Sequence, residues 1–344
     1  MQGSQSVGIC IPTRDQAEFI GDALRSAFSQ NILPCDVVIS DDAGTDATAT
    51  VVEQFRLTLE PRLRTILRYH RNTNVLGIGG NFDRAVRLTH GDFVVKLDSD
   101  DVLESNFVEV LAEQLQANGQ AGWAHCNVLN IQPDGASIGL AHTRKSSGFY
   151  PAVNALPAYF RHNDTCHCVM LRKSAYLAVG GYRSEMKTCE DWLLWLEMLF
   201  SGWGYYFDER SLARMRKYEA RPELMTRRRK DFIASAKAMV PRIESACLQR
   251  TPAELGMAQH AALSRFRSAM ARLCVSSACD EGDLDVRHAL LEAACDFCPS
   301  IKNRLWLAAG LRLPAEGIRY GSRLIGTPRR VARALVQHLR EKAA

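Results

Sequence analysis

Short apolar runs alternating with amphipathic stretches fill the first hundred residues, and this alternation constrains the fold more than any other feature. VGICI (7–11) reads as a buried strand ending at Pro12 and Thr13. Residues 17–28 place Ala17, Ile20, Leu24, Ala27 and Phe28 at helical spacing, with Asp15 as the expected N-cap. DVVIS (36–40) is a second strand, followed by Asp41, Asp42 and a turn at Gly44; Thr45 or Asp46 then caps a helix carrying Val51, Val52 and Phe55. A third strand is expected near 65–69, then a glycine-rich loop, a helix over 81–88 and the strand 93–97. Strand–helix alternation predicts an α/β protein with a doubly wound, mainly parallel sheet and helices on both faces. Such sheets bind ligands beyond the carboxyl ends of their strands. The polar segments Thr13-Arg14-Asp15, Asp41-Asp42 and 98–101 are therefore expected to converge on one crevice.

The last of these segments has unusual charge density. FVVKLDSDDVLE (93–104) runs from a mostly apolar stretch into Asp98, Asp100 and Asp101. Crowded like charges raise the cost of ionising one another. A helix start accounts for part of the cluster, because acids favour a helix N-terminus; Asp101 fits that role best. A divalent cation with a bound diphosphate accounts for the rest, since Mg²⁺ and Mn²⁺ prefer hard oxygen ligands and accept one or two carboxylates plus phosphates. The GIGG loop (77–80) lacks the GxGxxG spacing of a dinucleotide site, and no Walker-type phosphate loop is present.

The balance of the chain is that of an ordinary globular protein, 47% hydrophobic and 24% charged over 344 residues. WLLWLEMLF (192–200) is the densest apolar run, too short to span a membrane and interrupted by Glu197. MQGSQSVGICIPT lacks the features of a secretory signal, so a cytoplasmic location is expected. Eleven scattered cysteines suit reduced thiols. A zinc site from Cys274, Cys279, Cys295 and Cys298 would need tetrahedral convergence, but their irregular spacing in an apolar helical pattern favours buried thiols. From 134 to 163 the pattern weakens and mobile loops are expected. Beyond 222 the chain reads as helical throughout. The net charge of +5 comes from the end: residues 298–344 hold ten Lys/Arg against Glu316 and Glu341. RLIGTPRRVARALVQHLREKAA predicts a basic amphipathic helix that either packs as a solvated helix or docks on the inner face of an anionic membrane. Nothing accompanies this charge that suggests nucleic-acid binding.

Five stretches, in order, resemble the family 2 glycosyltransferases of GT-A fold: ICIPTRDQAEFIGDALRSAFSQ, VVISDDAGTDAT, NVLGIGGNFDRAV, HGDFVVKLDSDD and GGYRSEMKTCEDWLLWLEML. The resemblance covers about 7–218. It implies transfer of a sugar from a nucleotide-diphosphate donor, of UDP or dTDP type, to a glycan or lipid-linked glycan, with inversion and a divalent cation, Mn²⁺ or Mg²⁺. Carried over, it implies that Pro12, Thr13, Arg14 and Asp15 line the nucleotide pocket and that Asp42 binds base or ribose. It further implies that Asp98 approaches ribose and metal, that Asp100 ligates the metal, that Asp191 is the general base and that Glu190 orients it or binds acceptor. The chain departs from the family at Arg14, where an aromatic is usual and a guanidinium can stack instead, and at Asp15, where Asn is usual. Tyr218 stands where many members place a histidine, so no histidine ligand is carried over, and His162 and His167 are read as structural. The implied layout is a GT-A domain over 1–220 and a helical C-terminal extension over 221–344. The competing readings are a catalytically silent nucleotide-sugar-binding relative and a nucleotidyltransferase. The first would have lost its acids, and the second needs a phosphate loop after the first strand.

Overall fold

A computed structural model describes residues 5–141, 145–165, 168–218, 222–300 and 303. The chain divides into two compact units, Met1–Glu219 with Ala253–Gly256, and Ala220–Pro252 with Met257–Ala344.

In the first unit β1 (Val7–Thr13) leads into α1 (Ile20–Phe28), β2 (Asp36–Asp41), α2 (Thr48–Thr58) and the single turn α3 (Pro61–Arg64). Then come β3 (Leu67–Arg71), α4 (Gly77–Leu88) and β4 (Phe93–Lys96). These four strands are parallel in the order β3-β2-β1-β4, with Thr13 opposite Asp41 and Cys10 opposite Lys96. The second half begins with β5 (Val102–Leu103), α5 (Phe107–Ala117) and β6 (Ala121–Ile131). It continues through β7 (Ser137–Ala141), β8 (Gly148–Tyr150), α6 (Ala152–Tyr159), β9 (Val169–Arg172), α7 (Lys173–Ala178), α8 (Glu190–Phe200) and β10 (Gly204–Arg216). Antiparallel β9 joins β4 to β6, and β10 runs parallel to β6. Ile9, Ile11, Val37, Ile39, Val95 and Leu97 are fully buried, as strands covered on both faces require.

The second unit holds α9 (Pro222–Leu248), α11 (Gln259–Cys279) and α12 (Leu284–Phe297), and the turn α10 (Pro252–Leu255) interrupts the sequence between the first two. α12 opens on Asp283, whose carboxylate accepts from the backbone of Asp285 and Val286. Buried Glu281 ties α9 to the α11–α12 turn, accepting from Thr226, Arg229 and the Asp283 backbone. Cys274 and Cys279 lie on α11, Cys295 on α12 and Cys298 at its end. Among the described residues no group of three or more His, Cys, Asp or Glu gathers as a metal site. No described helix is long and apolar enough to cross a membrane. The basic tail lies outside the described residues.

Several local expectations are corrected. Asp15 does not cap α1: its backbone is left-handed (φ 52°) and its carboxylate turns to the Thr45 N–H at 2.6 Å. The GIGG stretch is not a loop but the first turn of α4. Residues 134–163 are not simply loops, since β7, β8 and α6 lie there. Asp101 is not helix-start chemistry, because α5 begins only at Phe107. β6 and β10, unforeseen, are the longest strands; β10 shifts register between Asp208 and Ser211 and again before Ala213. These irregularities put charged residues where alternation would call for apolar ones, so the segment does not read as a strand.

Candidate active site

The C-terminal ends of β1, β2 and β4 open at one edge of the sheet, where α8 also begins. The described non-glycine residues with positive φ, Asp15, Ala43 and Cys189, all lie in the loops that carry these acids. Such backbone is costly and persists only where its surroundings over-determine it.

Behind β1 and β2 the carboxylates bind backbone. Asp42 is buried and accepts from Asn72 Nδ2 (2.9 Å), Leu76 N–H (2.7 Å) and Gly77 N–H (2.9 Å), which fixes the start of α4. Three of roughly four acceptor directions are thereby filled. Asp41 accepts from the Gly44 N–H and the Tyr69 hydroxyl. Burial would raise Asp46, but hydrogen bonds from Thr48 and Ala17 outweigh it and hold it below the usual carboxylate range. Arg14 is exposed beside Asp15, and Pro12 pairs with Ser40. Thr13 is 3% exposed, and its hydroxyl has no partner within the described residues.

Behind β4 two of the three acids, Asp98 and Asp100, face side chains instead. Both Asp98 oxygens lie 3.1 Å from Lys96 Nζ, which also stands over the Phe82 ring. Asp100 accepts from the Tyr218 hydroxyl at 2.8 Å, and burial and the Asp98 charge raise its pKa. Asp101 is buried, accepts from the Arg216 N–H at 2.9 Å and is pushed up to about 8 by burial and then by Asp98. It therefore pins the end of β10 beneath the cluster. Arg216 also reaches the Asp100 carbonyl and Asp22, so β10 is locked to the acid loop at several points.

α8 presents its acids from the other side. Asp191 accepts from Asn163 Nδ2 (2.8 Å) and the Trp192 N–H (2.7 Å). The amide oxygen of Asn163 is taken by the Thr165 N–H, which fixes which end of the amide faces Asp191. Burial and the Asp191 charge push Glu190 up to about 7. The fit opposite is tight: a Cβ at Gly79 would lie 3.0 Å from the Arg183 carbonyl and 3.7 Å from Glu190 Cβ. Gly79 thus lets α4 approach the 183–190 segment closely.

The two acid groups converge on Lys96. Burial would lower its pKa, but the charges of Asp98, Asp191 and Glu190 outweigh that and hold it protonated. Buried Tyr182, raised by burial first, also feels Asp191, Glu190 and Asp98, and its hydroxyl has no partner among the described residues.

The model of the family described as glycosyl transferase family 2 matches residues 8–180, half of the chain. The chain belongs to that family. Chondroitin synthase of Escherichia coli is 27% identical over 197 residues, covering 56% of this chain and 26% of the synthase. The chain thus spans about a quarter or less of the length of the first curated relatives it matches. Residues 1–349 of S. aureus TarS, solved with UDP-GlcNAc, share the fold at a TM-score of 0.67 with 14% identity, over 93% of this chain and 92% of that one. The mannosyltransferase PcManGT from Pyrobaculum calidifontis, solved with GDP-Man and Mn²⁺, aligns at 0.50 with 18% identity, over 90% and 85%. The fold is the α/β GT-A type expected, with a helical C-terminal region.

Three residues of this family member's crevice escaped sequence reasoning. Lys96 left a signal, a lone charge inside a run that reads as a buried strand. Asn163 left none, since it lies in a polar stretch without periodicity. Tyr218 was noted only as a missing histidine, yet its hydroxyl holds Asp100. His162 is exposed, with Nε2 2.5 Å from Asp164; His167 lies outside the described residues.

Proposed function

We propose that this chain transfers a sugar from a nucleoside-diphosphate donor, of UDP or dTDP type, to a hydroxyl of a glycan, free or lipid-linked, with inversion. The observation that carries this reading is the convergence of Asp98, Glu190 and Asp191 on Lys96 at one sheet edge. In this reading residues 1–220 form the catalytic domain and 221–344 a helical extension. Pro12, Thr13, Arg14 and Asp15 line the nucleotide pocket. The unpartnered Thr13 hydroxyl suits a ligand there, and Asp42 keeps one acceptor direction for base or ribose. That TarS was solved with UDP-GlcNAc supports the nucleotide class.

A divalent cation suits this donor set. Asp100 and Asp98 offer two hard carboxylates, and with no third ligand gathered among the described residues, diphosphate and water would complete the shell. PcManGT, solved with Mn²⁺, supports the same reading. When bound, the cation offsets charge growing on the departing diphosphate.

Asp191 takes the proton of the acceptor hydroxyl, with Asn163 aiming the carboxylate. The hydroxyl oxygen bonds to the anomeric carbon on the face opposite the diphosphate. The old carbon–oxygen bond breaks through an oxocarbenium-like state, and its electron pair leaves with the diphosphate. Glu190 orients Asp191 or binds the acceptor.

Incubation with a panel of donors and Mn²⁺ tests the proposal. Nucleoside diphosphate released in step with glycosylated acceptor supports it. In a parallel incubation with nucleoside triphosphate and sugar 1-phosphate, pyrophosphate release would indicate a nucleotidyltransferase, and donor binding without any release would indicate a silent relative.

A further inference from the structure

Lys96 is not a residue that a metal site requires, and its position needs explaining. It sits on β4 between Cys10 of β1 and Val169 of β9, where flanking strands leave little room for a charge. Its side chain is only 13% exposed, yet the ammonium is not directed outward: it spans both oxygens of Asp98 at 3.1 Å. Phe82 supports it from behind, with the ring centroid 5.1 Å from Nζ. The charges of Asp191 and Glu190 reach the same ammonium. A point cation is thus built into the middle of an acidic cluster, on one of its two candidate metal carboxylates.

We propose that Lys96 is a positioning residue that acts as the crevice's own counter-cation: it occupies Asp98 until the donor arrives, so that the divalent cation enters with the diphosphate and not before it. The inference rests on the glycosyltransferase reading above and deepens it. A free divalent cation entering the donor-free protein finds Asp100, held by Tyr218, and Asp98, held by Lys96; binding both carboxylates means displacing the ammonium. A metal–diphosphate complex brings its own oxygens and needs fewer from the protein. Lys96 also leaves the crevice less negative, so the diphosphate meets less repulsion.

The test is Mn²⁺ binding to the donor-free protein, measured by calorimetry or by the paramagnetic resonance signal of free Mn²⁺. Lys96→Gln and Lys96→Met remove the charge, Gln keeping a hydrogen bond to Asp98 should Met prove unstable. Both are expected to bind Mn²⁺ at least about tenfold more tightly than the wild type, given the strength of one charge at this range in a partly buried site. Lys96→Arg, which keeps the charge, is expected to match the wild type. In an Asp98→Asn background the gain should vanish, because the carboxylate being released is gone. Metal-free UDP should bind the neutral variants more weakly. Neutral variants whose Mn²⁺ affinity stays within about twofold of wild type overturn the inference, as does a gain that survives in Asp98→Asn. These readouts need no turnover. A protein that transfers no sugar therefore sinks the proposed function, while the Mn²⁺ comparison still decides Lys96.

Discussion

The acids behind β1 and β2 and those behind β4 and at the start of α8 share one sheet edge, yet their oxygens meet different partners. Asp15, Asp41, Asp42 and Asp46 accept mostly backbone N–H groups and turn hydroxyls. Asp98, Asp100 and Asp191 face Lys96, Tyr218 and Asn163, side chains that can move aside, while Asp100, Asp101 and Glu190 are raised by burial and mutual charge. The first set builds the loops, and the second gathers charge at one place. In the proposed reaction, carboxyl groups of one chemistry thus separate into scaffold and reactive site by the partner each is given.

That contrast breaks most sharply at Asp191. Asp191→Asn is expected to lower transfer by about 10²–10⁴-fold while nucleotide binding persists and stability stays within about 1 kcal/mol. Near-normal turnover would remove it from the role of base. Asp42→Ala should do the reverse in stability, costing about 1–3 kcal/mol in urea unfolding because buried Asn72 and the two backbone N–H groups at the start of α4 lose their charged acceptor. A variant as stable as wild type would show that Asp42 is not a scaffold acid.

A smaller effect follows from Glu190. Its folded pKa of about 7 lies above the ordinary 4.5, so between those values the folded state binds the extra proton. The protonated form is the one that folding favours, and this contribution is full below about 4.5 and drains away as pH rises through 7. Melting temperature is therefore expected to fall between about pH 5 and pH 8, and to fall less in Glu190→Gln. Equal slopes in the two proteins would count against the burial argument; Asp101, also raised, contributes in the same direction. The smallest change is expected from Tyr218→Phe. It releases one Asp100 oxygen, and the half-saturating Mn²⁺ concentration should drop about two- to fivefold; no change would separate Tyr218 from the metal edge.

Legibility followed the same division. The parallel strands β1 to β4 carry local signals, apolar runs bounded by turn residues, and each was found within a few residues of its observed ends. Asp98 and Asp100 stood out because several acids close together at a strand's end are rare without a reason, whereas Glu190 and Asp191 came only from the family resemblance. The antiparallel half was harder to read. β10 carries Asp208, Glu209 and Arg210 in its middle, tolerated through bulges and an Arg210–Asp208 pair that only folding assembles. Asp101 looked like a helix start because the sequence shows its charge but not the Arg216 N–H, 115 residues away, that donates to it.

By itself the sequence determined the α/β alternation, the helical character after residue 222 and the positions of the acids, because these depend on neighbours three or four residues apart. Only the tertiary structure decided what each acid is for. For Asp100 and Asp191 the partners come from segments far along the chain, Tyr218 and Asn163, whereas Lys96 lies two residues from Asp98 and only its burial depends on the fold. Burial and electrostatics act through space, and that distance is fixed only once the sheet has closed.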